Sequence, residues 1–225
     1  MMNYKEEFIN LMVRANVLRF GDFTAKSGRK TPYFINTGNY KFGADICKLG
    51  EFYADCYHEY LGENVNVLFG PAYKGIPLVI STSSALSNKY SMNVPICFNR
   101  KEAKDHGEGG IFVGKTPEDG DKVVIIEDVI TAGTAVRESM DMLGKINGVK
   151  VTDLIIAVDR KEKGKKGDKS TLQELEEEFG IKVHPIVTIN DILEYLYNKE
   201  IDGKVYIDDT MKARIEEYLS VYGAV

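Results

Sequence analysis

The sequence predicts an α/β fold: a doubly wound, mainly parallel sheet of roughly five strands flanked by helices, with a small flap ahead of it. Three observations carry this expectation. Short apolar runs rich in β-branched residues alternate with stretches of helical periodicity. The runs are apolar at successive positions rather than at every second one, the pattern of strands covered on both faces. The chain has 225 residues with 44% hydrophobic content, enough for one sizeable core, so a single domain is expected over residues 1–225.

In chain order, residues 4–15 place Phe8, Leu11, Met12 and Ala15 at helical spacing. From Val17 to Asn36, two short strands joined by a Ser27-Gly28 turn precede the regular alternation, so residues 1–40 are read as a helix plus a flap. Lys26, Arg29 and Lys30 lie near Tyr33 and Phe34 in that flap; taken alone, they describe a solvated basic hairpin. Residues 43–200 form the core. It opens with a long amphipathic helix over 43–61 that turns Ile46, Leu49, Phe52, Tyr53, Cys56, Tyr57, Tyr60 and Leu61 inward and leaves His58 at the surface. The strand Val65–Phe69 ends in Gly70-Pro71-Ala72-Tyr73-Lys74-Gly75, and a helix over about 76–88 follows. A strand, a glycine-bracketed turn carrying a lysine, and a helix make a candidate anion site.

After the strand Val94–Phe98, residues 99–110 hold three glycines, balanced charges and no apolar period. A mobile loop is expected there: either a plain solvated segment, or a lid that brings cations onto a polyphosphate and excludes water. The strand Val123–Ile126 is four β-branched apolar residues without interruption, followed by Glu127 and Asp128 at its carboxyl end, the edge where open α/β sheets bind ligands. Thr131-Ala132-Gly133-Thr134 then turns into a helix over 135–143. One segment so offers a helix N-terminus for an anion and two carboxylates for hydroxyls or a metal. The strand Val151–Val158 ends in Asp159-Arg160, and a basic connection over 161–170 leads to a helix capped by Ser170 or Thr171. The strand Ile181–Val187, with a structural His184, and helices over 189–198 and 209–222 close the chain; residues 201–225 are read as a helical extension.

Residues 109–116, Gly-Gly-Ile-Phe-Val-Gly-Lys-Thr, match the phosphate-loop pattern letter for letter. That pattern functions between a buried strand and a helix, whereas here a charged loop precedes it and the turn Pro117-Glu118-Asp119-Gly120 follows. A nucleoside-triphosphatase is therefore set aside. The net charge of −5 and the lack of a basic arm argue against nucleic acid as partner. No apolar run approaches the ~18 residues of a membrane span, and the first residues lack the apolar centre of a signal peptide. Cys47, Cys56 and Cys97 are odd in number and lack metal-ligand spacing, so reduced, packed cysteines in a cytoplasmic protein are expected.

Residues 123–135 resemble the phosphoribosyl diphosphate (PRPP) motif of the type I phosphoribosyltransferases. Three further segments resemble the orotate phosphoribosyltransferases of the dimeric bacterial and fungal type: Phe23–Phe34, Leu68–Pro77, and Cys97–Gly110. The resemblance spans about residues 4–200; the motif alone points to the superfamily, the Lys26 flap and the Arg100–Gly110 lid to orotate. It implies the type I phosphoribosyltransferase fold with an N-terminal flap or hood. The reaction it implies is orotate plus PRPP giving orotidine 5′-monophosphate and pyrophosphate, in the pathway to UMP. Mg²⁺ would be carried by PRPP, with no ligand directly from the protein.

By the same resemblance, PRPP is held by Glu127, Asp128, Val129, Ile130, Thr131, Ala132, Gly133, Thr134 and Ala135, the turn cradling the 5′-phosphate and the acids the ribose hydroxyls. Tyr73 and Lys74 contact the pyrophosphate side, and Arg100, Lys101, Lys104 and His106 close over the diphosphate. Lys26, Phe34, Ile35, Thr131 and Arg160 bind orotate, Arg160 as a fork for its carboxylate, with Lys26 also near PRPP. Lys26, Lys101, Lys104, His106 and Asp128 form the catalytic set. A homodimer is implied, in which the lid, through Lys101 and His106, covers the neighbour's site. Two features depart from the family: Ile35 stands where an aromatic is frequent, and Glu127 where an Asp can stand. Two alternatives are weighed against this reading. A non-catalytic PRPP-sensing regulator would carry a basic face or a blunted lid. A purine phosphoribosyltransferase would have no clear use for Arg160 beside Lys26.

Overall fold

The computed structural model describes residues 3–25, 28–63, 65–104, 110–164 and 167–224, with only the backbone described at 103 and 104. Helix α1 (Tyr4–Arg14) starts at Asn3, whose side chain accepts from the Glu6 amide, and buries Phe8, Ile9, Met12 and Val13. Strands β1 (Leu18–Thr24) and β2 (Lys30–Ile35) form an antiparallel hairpin with Arg19 opposite Phe34 and an irregularity between Phe20 and Phe23. Leu18 and Tyr33 enter the core from one face. On the other, Phe23 stacks on Phe34 at 5.5 Å with the Arg19 guanidinium over both rings.

The core contains α2 (Gly43–Tyr60), β3 (Val67–Gly70), α3 (Gly75–Tyr90), β4 (Ile96–Lys104), β5 (Gly110–Gly114), β6 (Lys122–Glu127), α4 (Thr134–Leu143), β7 (Lys150–Asp159), α5 (Thr171–Phe179), β8 (Lys182–Thr188) and α6 (Ile189–Leu196). A short hairpin of β9 (Glu200–Ile201) and β10 (Lys204–Val205) leads to α7 (Asp209–Tyr222). The main sheet has the order β5-β4-β3-β6-β7-β8. All its neighbours run parallel except β5, which runs antiparallel to β4.

Alternation along β6 sorts the two layers. Val124 and Ile126 face the core shared with α1, α2, α3, α6 and α7, while Val123 and Ile125 face the core built with α4 and α5. All four are fully buried, which is why the strand reads as apolar at every position. Helices α2 and α3 cross so closely that a Cβ on Gly50 would lie 2.6 Å from the Ser81 backbone. After β3 the chain builds β4 on one side and later β6 on the other, so β3 and β6 flank the point where the winding reverses.

The mainly parallel sheet of roughly five strands is borne out, with β5 adding an antiparallel edge as the sixth. Several other expectations are corrected. Residues 99–104, expected as loop, continue β4; their charges hid a strand that sits near a sheet edge, where charged side chains are tolerated. Residues 105–109 lie outside the described residues. Tyr60, expected inward, is 46% exposed and stacks on His184. Cys47, expected to be packed, is exposed, while Cys56 and Cys97 are buried; none is in a disulfide. His184 is structural in the sense expected, bonded to Asp153 at 2.7 Å.

Candidate active site

The site grows from the end of β6. The Tyr53 hydroxyl donates to the Glu127 carbonyl at 2.8 Å, and the Ala157 amide donates to the Asp128 carbonyl at 2.9 Å, so the chain is pinned just where it leaves the sheet. Both acids are buried. Glu127 turns back to accept from the Asp128 amide at 3.0 Å. Burial pushes the Glu127 carboxyl up to about 7, and the neighbouring Asp128 charge adds to the rise. Asp128 Oδ2 accepts from Lys74 Nζ at 2.7 Å and from Thr37 Oγ1 at 2.6 Å.

Beyond the acids the chain must turn sharply into α4. Gly133 does this at φ +70, and a Cβ there would stand 2.8 Å from Arg137 Nη1 and 3.2 Å from Thr171 Cγ2. Those two side chains brace the turn: Arg137 Nη1 donates to the Ala132 carbonyl at 2.8 Å and Thr171 Oγ1 to the Thr131 carbonyl at 2.9 Å. No side chain caps the first turn of α4, which begins one residue earlier than the sequence suggested. Its leading N–H groups therefore remain available to an anion.

The turn after β3 supplies the facing wall. Its Ala72 amide donates to Asn99 Oδ1 at 2.9 Å, which ties it to the base of the β4–β5 hairpin. Together Pro71–Lys74 and Glu127–Val136 enclose a cavity of about 380 Å³ at the winding reversal of the sheet. Tyr73 is 70% exposed at its rim, and the Lys74 side chain is 66% exposed although its ammonium rests on Asp128. The carboxylates of Glu127 and Asp128 are the hard oxygen donors this cavity offers to a cation.

Of the residues expected to bind the second substrate, Thr131 lines the cavity and Arg160 contacts that threonine. Arg160, just past β7, reaches Thr131 Oγ1 at 3.5 Å. Its Nε is enclosed and makes no hydrogen bond among the described residues. Phe34 and Ile35 lie at the end of β2, and the chain passes from them through Asn36 into the turn that presents Thr37 to Asp128. Arg100 does not reach the cavity here: it donates across its own hairpin to the Gly110 and Phe112 carbonyls at 3.0 and 3.3 Å. Lys101 is exposed on the same hairpin. Lys26 and His106 lie outside the described residues, as does the side chain of Lys104.

Sequence reasoning missed Thr37, Tyr53, Asn99, Arg137 and Thr171. Thr37 carried a local signal, the turn sequence Asn36-Thr37-Gly38, but nothing to pair it with an acid 91 positions on. The phosphate-loop lookalike is resolved as scaffold. Gly114 closes an edge strand, and Lys115 bonds both carboxylate oxygens of Asp121 at 2.7–2.9 Å, remote from the cavity lining.

Comparison with known proteins yields a consistent set. The family described as "Phosphoribosyl transferase domain" matches residues 37–187. An orotate phosphoribosyltransferase of Clostridium acetobutylicum is 56% identical over 223 residues, covering 99% of each chain. One from Mannheimia succiniciproducens is 48% identical over 218 residues, covering 97% of this chain and 99% of its own. The crystal structure of orotate phosphoribosyltransferase from Francisella tularensis superposes with a TM-score of 0.84 at 37% identity, covering 97% of this chain and all of that one.

Proposed function

The chain belongs to the orotate phosphoribosyltransferases of the phosphoribosyl transferase family, and on that premise we propose which residues carry each part of the reaction. The enzyme joins orotate to the ribose 5-phosphate of PRPP with loss of pyrophosphate, in pyrimidine biosynthesis. The observation that carries the residue assignment is the single cavity that unites two buried acids with an uncapped helix N-terminus.

The N–H groups around Thr131, Ala132, Gly133, Thr134 and Ala135 hold the 5′-phosphate, and Val129 and Ile130 shape the floor. Glu127 and Asp128 accept from the ribose hydroxyls. Lys74 rests on Asp128 in the free site. Its largely exposed chain can swing to the more highly charged diphosphate beside Tyr73, freeing the Asp128 oxygen for a hydroxyl. Arg160, whose guanidinium reaches the edge of the cavity at Thr131, takes the orotate carboxylate as Thr131, Ile35 and Phe34 border the ring. Lys26 is assigned, from the family resemblance alone, a contact with both substrates. As the C1′–O bond breaks, the ribose gains oxocarbenium-like charge and the diphosphate gains negative charge. Catalysis then consists of alignment and of charge neutralisation by Lys26, Arg100, Lys101, Lys104 and His106.

Mg²⁺ fits this arrangement as an ion entering on the diphosphate, since it favours phosphate oxygens and water with one or two carboxylates, and Glu127 and Asp128 line the same cavity. When bound it neutralises the leaving group. The chain is proposed to act as a homodimer whose lid residues Lys101 and His106 serve the neighbour's site. The exposure of the large apolar side chains Phe42, Tyr73 and Ile80 supports the presence of a partner surface. Mixing inactive Lys26→Ala and Lys101→Ala subunits should restore activity in hybrid dimers; no recovery despite subunit exchange refutes the shared lid. No described helix is long and apolar enough to cross a membrane. A cytoplasmic location is proposed from the unpaired cysteines. The direct test is the fall of orotate absorbance on adding PRPP and Mg²⁺. Untouched orotate with consumption of hypoxanthine or adenine would sink the assignment.

A further inference from the structure

Glu162 lies two residues beyond Arg160, with its side chain only 12% exposed. Two flap residues distant in sequence and one near neighbour converge on it. Tyr33, from β2, donates its hydroxyl to Oε1 at 2.8 Å. Arg29, from the turn of the flap, donates to Oε2 at 3.3 Å. Arg160 itself stands 3.9 Å from Oε2, close enough for attraction and too far for a hydrogen bond. A largely shielded carboxylate facing two guanidinium groups and a phenol is held firmly, because each partner would be costly to leave unpaired.

The end of the chain locks this carboxylate in place. Beyond α7, Gly223 forms an antiparallel bridge with Glu162. The Lys163 amide donates to the Tyr222 carbonyl at 2.8 Å, and the Ala224 amide to the Lys161 carbonyl at 2.7 Å. The same helix reaches the flap: the Arg29 guanidinium lies over the Tyr222 ring at 4.4 Å, and Tyr33 meets Tyr218 edge-on at 5.9 Å. The extension that sequence analysis read only as helix thus touches both the loop carrying Arg160 and the flap carrying Phe34.

We propose that Glu162 is a positioning residue for the acceptor substrate, and that the C-terminal tail is the clasp that holds it. It fixes Arg160 and the flap relative to each other, so that the carboxylate fork and the ring-bordering strand keep one spacing. The inference rests on the assignment of orotate to Arg160 and Phe34. The donor cavity shares none of these contacts apart from Thr131, so the effect should fall on one substrate.

The test is steady-state kinetics of Glu162→Gln, which keeps the shape and removes the charge, and of Tyr33→Phe, which removes one hydroxyl and serves if the first variant folds poorly. Arg160→Ala is measured beside them. Glu162→Gln should raise the KM for orotate about tenfold, the scale of one charge-assisted hydrogen bond, while the KM for PRPP stays within about twofold. In the double variant with Arg160→Ala the two effects should fall short of additivity. Equal rises in both KM values, or no rise in either, overturn the proposal and leave Glu162 a structural residue. If Arg160→Ala alone leaves the orotate KM unchanged, the acceptor assignment fails first and takes this inference with it. If Arg160→Ala raises it while Glu162→Gln and Tyr33→Phe do not, only the inference fails.

Discussion

Replacing Asp128 by Asn separates binding machinery from scaffold, because the structure assigns different magnitudes to the two. The substitution preserves volume and removes one charge. In the free protein that charge meets Lys74 at 2.7 Å, but the lysine side chain is 66% exposed and water screens the pair. Such a contact contributes at most ~1 kcal/mol to folding. Thr37 can still donate to the amide oxygen, and loss of the negative charge relieves its repulsion with buried Glu127. The net change in stability should stay within ~1 kcal/mol, or roughly 2–4 °C in Tm for a chain of this size. The transition state is affected differently. A preorganised, buried acceptor for a ribose hydroxyl beside a developing cation contributes at least ~2 kcal/mol, so kcat/KM for PRPP should fall about 30-fold or more. Thermal melts and initial rates of orotate consumption, measured on one preparation, give both numbers. Near-normal kcat/KM removes Asp128 from the site, and a Tm lowered by ~10 °C makes it a scaffold residue instead.

Gly133→Ala places a Cβ at φ +70 and 2.8 Å from Arg137 Nη1; a cost of ~1 kcal/mol or more and a several-fold rise in the KM for PRPP are expected, and an unchanged KM contradicts the cradle. Glu127 is raised from 4.5 to about 7, so the folded state holds its proton more tightly than the unfolded one. The stability contributed by that proton is present below pH 4.5 and is lost as the pH rises towards 7. Wild type should therefore lose Tm relative to Glu127→Gln between pH 5 and 8, and a flat or rising difference refutes the raised carboxyl. Lys115→Ala breaks a pair whose lysine is one-third exposed; it should cost no more than ~1 kcal/mol and leave orotate turnover unchanged, while loss of a specific ATP hydrolysis would restore the phosphate-loop reading.

What the sequence revealed depended on whether the cause was local. The buried strand Val123–Ile126, the acids after it and the glycine turn are all local, and the structure gathers them as read. Helix α7 was legible to its end residues because its apolar spacing and the Asp208 cap are contiguous. The continuation of β4 through Arg100 and Lys101 was not, since its hydrogen-bonding partner β5 begins only at Gly110 and its charged side chains hide the extended backbone. The ionisation of Glu127 follows from burial, which no local pattern states. Glu162 was invisible for the same reason: its partners Arg29 and Tyr33 are 133 and 129 positions away.

The two halves of the site differ in how they are held. The donor half stands on β3 and β6, adjacent parallel strands at the winding reversal, with carbonyls pinned by Tyr53, Ala157, Arg137 and Thr171. Its geometry therefore follows closely from the sheet and the helices packed on it. The acceptor half has no such platform. Phe34 belongs to a hairpin outside the main sheet, and Arg160 to a loop beyond β7; Glu162 and the segment after α7 link the two. Contacts made by side chains and a terminal segment open at lower free energy than a buried parallel sheet. On the proposed assignment, the acceptor half is therefore expected to open at lower free energy than the donor half, giving orotate a way in and the product a way out.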